Sequence, residues 1–270
     1  MTQADKLFAG SIPAIYQRHL VPMLFEPFGA ETAERVAEAR PHSVLEIAAG
    51  TGVLTRALAA RLAPQVKIIA TDLNQPMLDK AAQLQGETRN VTFQQADALH
   101  LPFDDESFDA VVCQFGVMFF PDKLKAYREA LRVLKPGGSY IFTVWDEIAR
   151  NDFVAVVMAT LEREFPGDPP RFMARTPHGY HDRRAMLVSV TQAGFNETSV
   201  ETLHRTSHAK SALEAAIGYC QGNPMHEEIE ARAPGKLQTI TEKVAAALEA
   251  RFGTGEITGE ICAHLVTAIK

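Results

Sequence analysis

From Ser43 to Trp145, short runs rich in apolar and β-branched residues alternate with stretches whose apolar positions recur at helical spacing. That alternation predicts a parallel sheet covered by helices. Strands are expected over 43–48 (SVLEIA), 66–71 (VKIIAT), 91–96 (VTFQQA), 108–113 (FDAVVC) and 138–145 (GSYIFTVW). Between them, Val53, Leu54, Ala57 and Leu58 form one helical stripe, and Leu124, Tyr127, Leu131 and Leu134 a second. The second is expected to end at Lys135-Pro136-Gly137-Gly138, where a proline and two glycines stop a helix. Right-handed crossovers then give an α/β, doubly wound sheet.

The flanks add helices. Residues 11–40 read as two, the first capped by Ser11 and carrying Ile12, Ile15, Tyr16, His19, Leu20 and Met23 on one face. Residues 146–181 hold a helical segment, Phe153 to Phe165, then the loop PGDPPRFMARTPHGYH. Residues 206–258 read as helices, with the stripe Leu237, Ile240, Val244 and Leu248, between two further strands at 197–205 and 260–268. Without a repeat or hinge-like linker, the expectation is one domain over 1–270. Its parts are N-terminal helices (1–42), a core (43–145), cap insertions (146–181 and 206–258), and a C-terminal helix and strands (182–205 and 259–270).

The sharpest local feature is the strand Val44-Leu45-Glu46-Ile47 running into Ala48-Ala49-Gly50-Thr51-Gly52 and then a helix. Small residues let a ligand approach the backbone, with the helix N-terminus beneath it. Three acidic residues mark successive strand ends: Glu46 on the first, Asp72 on the second, Asp97 after the third. Carboxyl ends of an open parallel sheet line one crevice, where ligands of such folds bind. Asp72 lies 20 residues beyond Gly52, the separation that sets a carboxylate on a ribose hydroxyl pair, although it also reads as a helix N-cap beside Asn74. Asp97 suits an exocyclic amine or is a simple loop carboxylate. Glu46 next to the glycines would repel a phosphate, so a sulfonium cofactor with a free amino group fits better.

Composition adds limits. Hydrophobic residues are 46 %, charged residues 22 %, and the net charge is −6 from 27 basic and 33 acidic side chains, an ordinary globular balance with no basic surplus to suggest nucleic acid. No apolar stretch approaches the roughly 20 residues of a membrane span, and MTQADKLFAG lacks a signal pattern. Cys113, Cys220 and Cys262 are far apart and lack CxxC spacing, which fits a reducing cytoplasm.

The motifs VLEIAAGTG, ATDLNQPML, QADALHLPF, FDAVVCQFGVMFF and EALRVLKPGG, in that order, resemble the class I S-adenosylmethionine-dependent methyltransferases, in particular the small-molecule enzymes related to ubiquinone/menaquinone biosynthesis. The resemblance covers residues 43–145 and implies a Rossmann-like, seven-stranded, mostly parallel sheet with helical cap insertions. It implies S-adenosylmethionine as cofactor and S-adenosylhomocysteine as product. Glu46, Ala48, Ala49, Gly50, Thr51 and Gly52 would face the methionine part, Asp72 the ribose, Leu73, Met77, Asp97 and Ala98 the adenine, and Gln114 and Phe115 the sulfonium and substrate entrance. The family most often has glycine where this chain has Ala48, a change tolerated at negative φ.

The resemblance implies direct in-line transfer to an oxygen, nitrogen or carbon of a small organic acceptor. His178 and His181 are candidate bases in the TPHGYH loop beside Tyr180, or parts of a turn in which Gly179 adopts positive φ and Asp182 caps the next helix. Tyr16 and Phe25 either close the site as a lid or pack as a helix face. His204 and His208 lack a third ligand at metal spacing, so no metal is expected. The position after the fourth strand reads Gln114-Phe115-Gly116-Val117 rather than the Asn/Asp-Pro-Pro-Tyr/Phe motif of base-directed enzymes. Competing readings are an NAD(P)-dependent oxidoreductase, disfavoured by Thr55 at the third glycine position, and a non-catalytic cofactor-binding protein. A cytoplasmic monomer or homodimer is expected.

Overall fold

A computed structural model of the chain describes residues 12–88 and 90–270. The Ser11 cap and the segment MTQADKLFAG lie outside the described residues. Seven strands form one sheet in the order β3-β2-β1-β4-β5-β7-β6. They are β1 (Ser43–Ile47), β2 (Lys67–Asp72), β3 (Val91–Gln95), β4 (Phe108–Gln114), β5 (Leu134–Trp145), β6 (Glu197–Ala209) and β7 (Ile257–Ile269). The pairs β1·β2, β1·β4, β2·β3 and β4·β5 are parallel, and β5·β7 is antiparallel. The sheet is therefore mostly parallel, as the motifs implied.

Contacts divide the chain into two compact units. One comprises Phe28–Trp145, Tyr180–Leu203 and Ala263–Lys270; the other comprises the described residues up to Pro27, Asp146–Gly179 and His204–Cys262. In the first unit, helices α3 (Val53–Arg61), α4 (Gln75–Gln85), α5 (Lys123–Val133) and α8 (Arg183–Ala193) connect the strands. Val44, Leu45, Val111 and Val112 are fully buried, which explains continuous apolar strands without alternation. Tyr127, Phe142, Tyr140 and Phe195, in that spatial order, form an aromatic column with successive centroids 5.1–5.8 Å apart. Asp182 caps α8, accepting from the amides of Arg184 and Ala185.

The second unit holds the helical additions: α6 (Asp152–Glu164), α7 (Phe172–Arg175), α9 (Ala212–Gln221), α10 (Met225–Arg232) and α11 (Leu237–Phe252). Its N-terminal part, α1 (Ile12–Ile15), continues as a π-helix over Tyr16–Phe25 and leads into α2 (Glu26–Glu38). Pro22 sits inside the π-helical stretch, where wider turns absorb a missing N–H, and the Ser207 hydroxyl donates to the Met23 carbonyl at 2.8 Å. Two sequence expectations need correction here. The stripe through Leu134 breaks at Val133, because Leu134 already opens β5 opposite Phe108, with a register shift before the Ala110–Ser139 pair. Gly179 has no positive φ. It is needed because a Cβ there would lie 2.2 Å from the Arg175 carbonyl oxygen, a close approach only glycine permits.

Candidate active site at the strand ends

The chain leaves β1 toward β2 on one side and β4 on the other, so the sheet order reverses at their carboxyl ends, the place where open α/β sheets bind ligands. The turns there are packed together. The Ala49 amide donates to the Thr71 carbonyl at 2.8 Å, and the Gly50 amide donates to Asp72 Oδ2 at 2.9 Å. A Cβ built on Gly116 would come within 2.5 Å of the Ala48 Cβ and 2.6 Å of Cys113 Sγ. The Ala96 amide donates to the Asp72 carbonyl at 3.0 Å, which brings the end of β3 alongside.

Asp72 is buried; Oδ2 accepts from the Gly50 amide at 2.9 Å, and Oδ1 from the Asn74 amide at 2.8 Å and the Asn74 side-chain amide at 3.4 Å. A carboxylate has about four acceptor positions, so one stands open on Oδ2, and displacing the long Asn74 side-chain bond opens a second on Oδ1 for a vicinal diol. Burial pushes its pKa up, and the hydrogen bonds from Asn74 and Gly50 hold it down. Asn74 stands at the N-cap position of α4 without a capping side-chain bond.

Glu46 is 1 % exposed, and Thr55, from the first turn of α3, donates to its Oε2 at 2.6 Å. Burial raises its pKa to about 8 against the hydrogen bond from Thr55. The carboxyl is thereby held neutral, and a cationic group brought beside it would ionise it. Thr55 is the residue that sequence reasoning used only as an argument against a dinucleotide loop, whereas here it orients Glu46.

Four residues in these turns have positive φ: Gly50 (58°), Gly52 (77°), Ala48 (56°) and Phe115 (53°). The expectation of a negative φ at Ala48 is overturned, because the turn must bend the Ala49 amide onto Thr71. Left-handed backbone costs a Cβ-bearing residue about 1 kcal/mol, which glycine largely avoids at some unfolded-state entropy. Ala48→Gly is therefore expected to leave stability unchanged or raise it by up to about 1 kcal/mol in chemical denaturation. A clear loss would contradict strain at this position.

Phe115 is held by two bonds from its amide, to the Thr143 carbonyl at 3.0 Å and the Thr143 hydroxyl at 3.1 Å. Its ring stacks on Trp145, with centroids 3.9 Å apart and planes at 10°, and Phe28 meets both edge-on. Sequence reasoning missed Trp145 and Phe28. The available signal was the chain's single tryptophan at the end of the fifth apolar strand.

The remaining predicted residues spread out. Met77 and Ala98 are buried, Gln114 is 8 % exposed at the end of β4, and Leu73 is 46 % exposed. Asp97 is half exposed, accepts from the Leu99 amide at 2.9 Å and bridges to His100. Tyr180 contacts Tyr127, hydroxyl to hydroxyl at 3.1 Å, under Lys123 at 4.8 Å from its ring. His181 is exposed in the same unit. His178 belongs to the other unit, buried, with Nδ1 2.7 Å from the Asp146 carbonyl. In that unit the rings of Tyr16 and Phe25 lie 5.1 Å apart.

Comparisons with known proteins supply the family. Residues 44–138 match the family described as "Methyltransferase domain". The demethylmenaquinone methyltransferase of Deinococcus radiodurans is 39 % identical over 138 residues, 51 % of this chain and 56 % of that protein. The ubiquinone/menaquinone biosynthesis C-methyltransferase UbiE of Ectopseudomonas mendocina is 33 % identical over 187 residues, covering 64 % of this chain and 72 % of that one. Among solved structures, a phosphoethanolamine N-methyltransferase of Haemonchus contortus, bound to S-adenosylhomocysteine, has a TM-score of 0.61 at 16 % identity, covering all of this chain and 61 % of that one. The 4+2 cyclase SpnF has a TM-score of 0.55 at 21 % identity, covering 91 % of this chain and 81 % of that one. The chain belongs to the S-adenosylmethionine-dependent methyltransferases. It is an enzyme of methyl transfer, with S-adenosylmethionine as its donor.

Proposed function

We propose that the chain methylates a planar, largely apolar small organic acceptor by direct in-line displacement, with the donor held by the turns after β1, β2 and β4. The carrying observation is the pair of buried carboxyl groups at adjacent strand ends, Asp72 with acceptor capacity beyond its bonds to Gly50 and Asn74, and Glu46, which burial keeps protonated until a cation is brought beside it. When bound, S-adenosylmethionine supplies a methyl carbon already activated by its sulfonium sulfur. What this chain adds is alignment and exclusion of water. Asp72 would hold the ribose hydroxyls, Glu46 the amino group, and Leu73, Met77, Asp97 and Ala98 the adenine. Gln114 and Phe115 would border the reacting methyl, with the Phe115–Trp145 stack as an apolar wall for the acceptor.

The printed name of the UbiE relative, a C-methyltransferase of ubiquinone/menaquinone biosynthesis, supports an electron-rich ring carbon as the acceptor atom. His178 and His181 remain the candidate bases where the acceptor is a hydroxyl. We further propose a single working domain in the cytoplasm, where three cysteines far apart and without CxxC spacing stay reduced. No helix among the described residues is long and apolar enough to cross a membrane. A panel of hydroquinones, naphthols, catechols and acyclic amines, assayed with labelled donor, tests the acceptor. Transfer to the ring compounds is expected, and transfer confined to acyclic amines would overturn the proposal.

A further inference from the structure

We propose that His204, Glu260 and Cys262 form a zinc-class divalent cation site, with imidazole Nδ1, one carboxylate oxygen and the sulfur as ligands and the fourth position open to water. His204 Nδ1 lies 3.0 Å from Glu260 Oε1, and Cys262 Sγ lies 3.1 Å from that nitrogen and 3.2 Å from that oxygen. Around a tetrahedral zinc ion with ligands at about 2.0–2.3 Å, neighbouring ligand atoms stand roughly 3.3–3.7 Å apart. Outward movement of a few tenths of an ångström thus makes room for the ion. Sequence spacing concealed the set, because Glu260 and Cys262 lie 56 and 58 residues from His204 and reach it only through the sheet.

The rest of the site fits. Cys262 is buried, while the side chains of His204 and Glu260 are more than half exposed, which leaves an entry path. The ligand-bearing strand is anchored to the start of α6: Asp152 accepts from the Glu260 amide at 2.7 Å and Asn151 from the Cys262 amide at 3.0 Å. The Asp146 amide also donates to the Cys262 carbonyl at 3.1 Å. Asp146 adds negative charge near the sulfur; Arg150 opposes it but is engaged by Glu147 at 3.8 Å. One thiolate and one imidazole favour zinc over magnesium or calcium.

Binding exchanges the Cys262 S–H bond for a sulfur–metal bond and releases that proton to solvent, with no change of oxidation state.

Cobalt(II) added to the reduced full chain is expected to give a near-ultraviolet thiolate-to-metal charge-transfer band and visible bands of four-coordinate intensity, both removed by stoichiometric zinc. Cys262→Ser should abolish the charge-transfer band. Glu260→Gln and His204→Ala should each weaken zinc binding in calorimetry by at least the roughly 10–100-fold typical of outer-shell changes. His208→Ala, removing the neighbouring partner of Glu256 at 3.6 Å, should leave binding unchanged. Glu260→Gln alters an exposed side chain and keeps the proposal testable should Cys262→Ser fail to fold. Cobalt bound without a thiolate band, zinc bound equally by wild type and Glu260→Gln, or no binding would each overturn the site.

Discussion

Asp72→Ala is expected to weaken S-adenosylmethionine binding by roughly 2–4 kcal/mol, about 30- to 800-fold in affinity. The substitution removes two charge-assisted acceptor positions from the ribose. It also frees the Gly50 and Asn74 amides that Asp72 now holds at 2.9 and 2.8 Å. Donor and demethylated product share the ribose, so affinity for both should fall by a similar factor. Asp72→Asn, which keeps one carbonyl acceptor, should fall between. Calorimetry reads all three, and unchanged affinity in Asp72→Ala would remove Asp72 from the cofactor site.

The second large effect concerns pH. In the native chain the Glu46 carboxyl keeps its proton up to about pH 8, whereas the unfolded chain loses it near 4.5. Between these values the folded state binds more protons, so its stability falls as pH rises through that window, by on the order of a few kcal/mol. This is the reverse of a salt-bridged carboxylate. Glu46→Gln should flatten that limb, because the amide keeps an oxygen for Thr55 and has no charge to bury. A cationic amino group placed on Glu46 restores the ionised form, so cofactor binding near pH 7 should release close to one proton. Calorimetry in buffers of different ionisation enthalpy counts it. Glu46→Gln should abolish the release and weaken binding by about 2 kcal/mol. A wild-type proton count of zero would contradict the pairing.

Much of the core was legible because a doubly covered parallel sheet imposes nearly continuous apolar strands, and β1, β2 and β4 fall within a residue of the runs SVLEIA, VKIIAT and FDAVVC. The acidic strand ends were legible for the same reason, since strand ends fix where side chains emerge. What stayed hidden depended on three-dimensional neighbours. Leu134 matches a helical stripe, yet pairing with Phe108 draws it into β5. Gly179 reads as a left-handed residue, but its need is space beside Arg175. Thr55, Trp145 and the His204–Glu260–Cys262 cluster acquire meaning from partners 9 to 58 residues away, a distance no local motif spans.

The shared fold of an N-methyltransferase and the cyclase SpnF shows that the sheet alone does not fix a reaction, so the weight falls on the carboxylates. The most direct test is calorimetric titration of the purified chain with S-adenosylmethionine, S-adenosylhomocysteine and NAD. Saturable binding of both sulfur compounds without NAD is the predicted result. Binding of NAD alone, or of none of the three, would contradict the site built on Glu46 and Asp72.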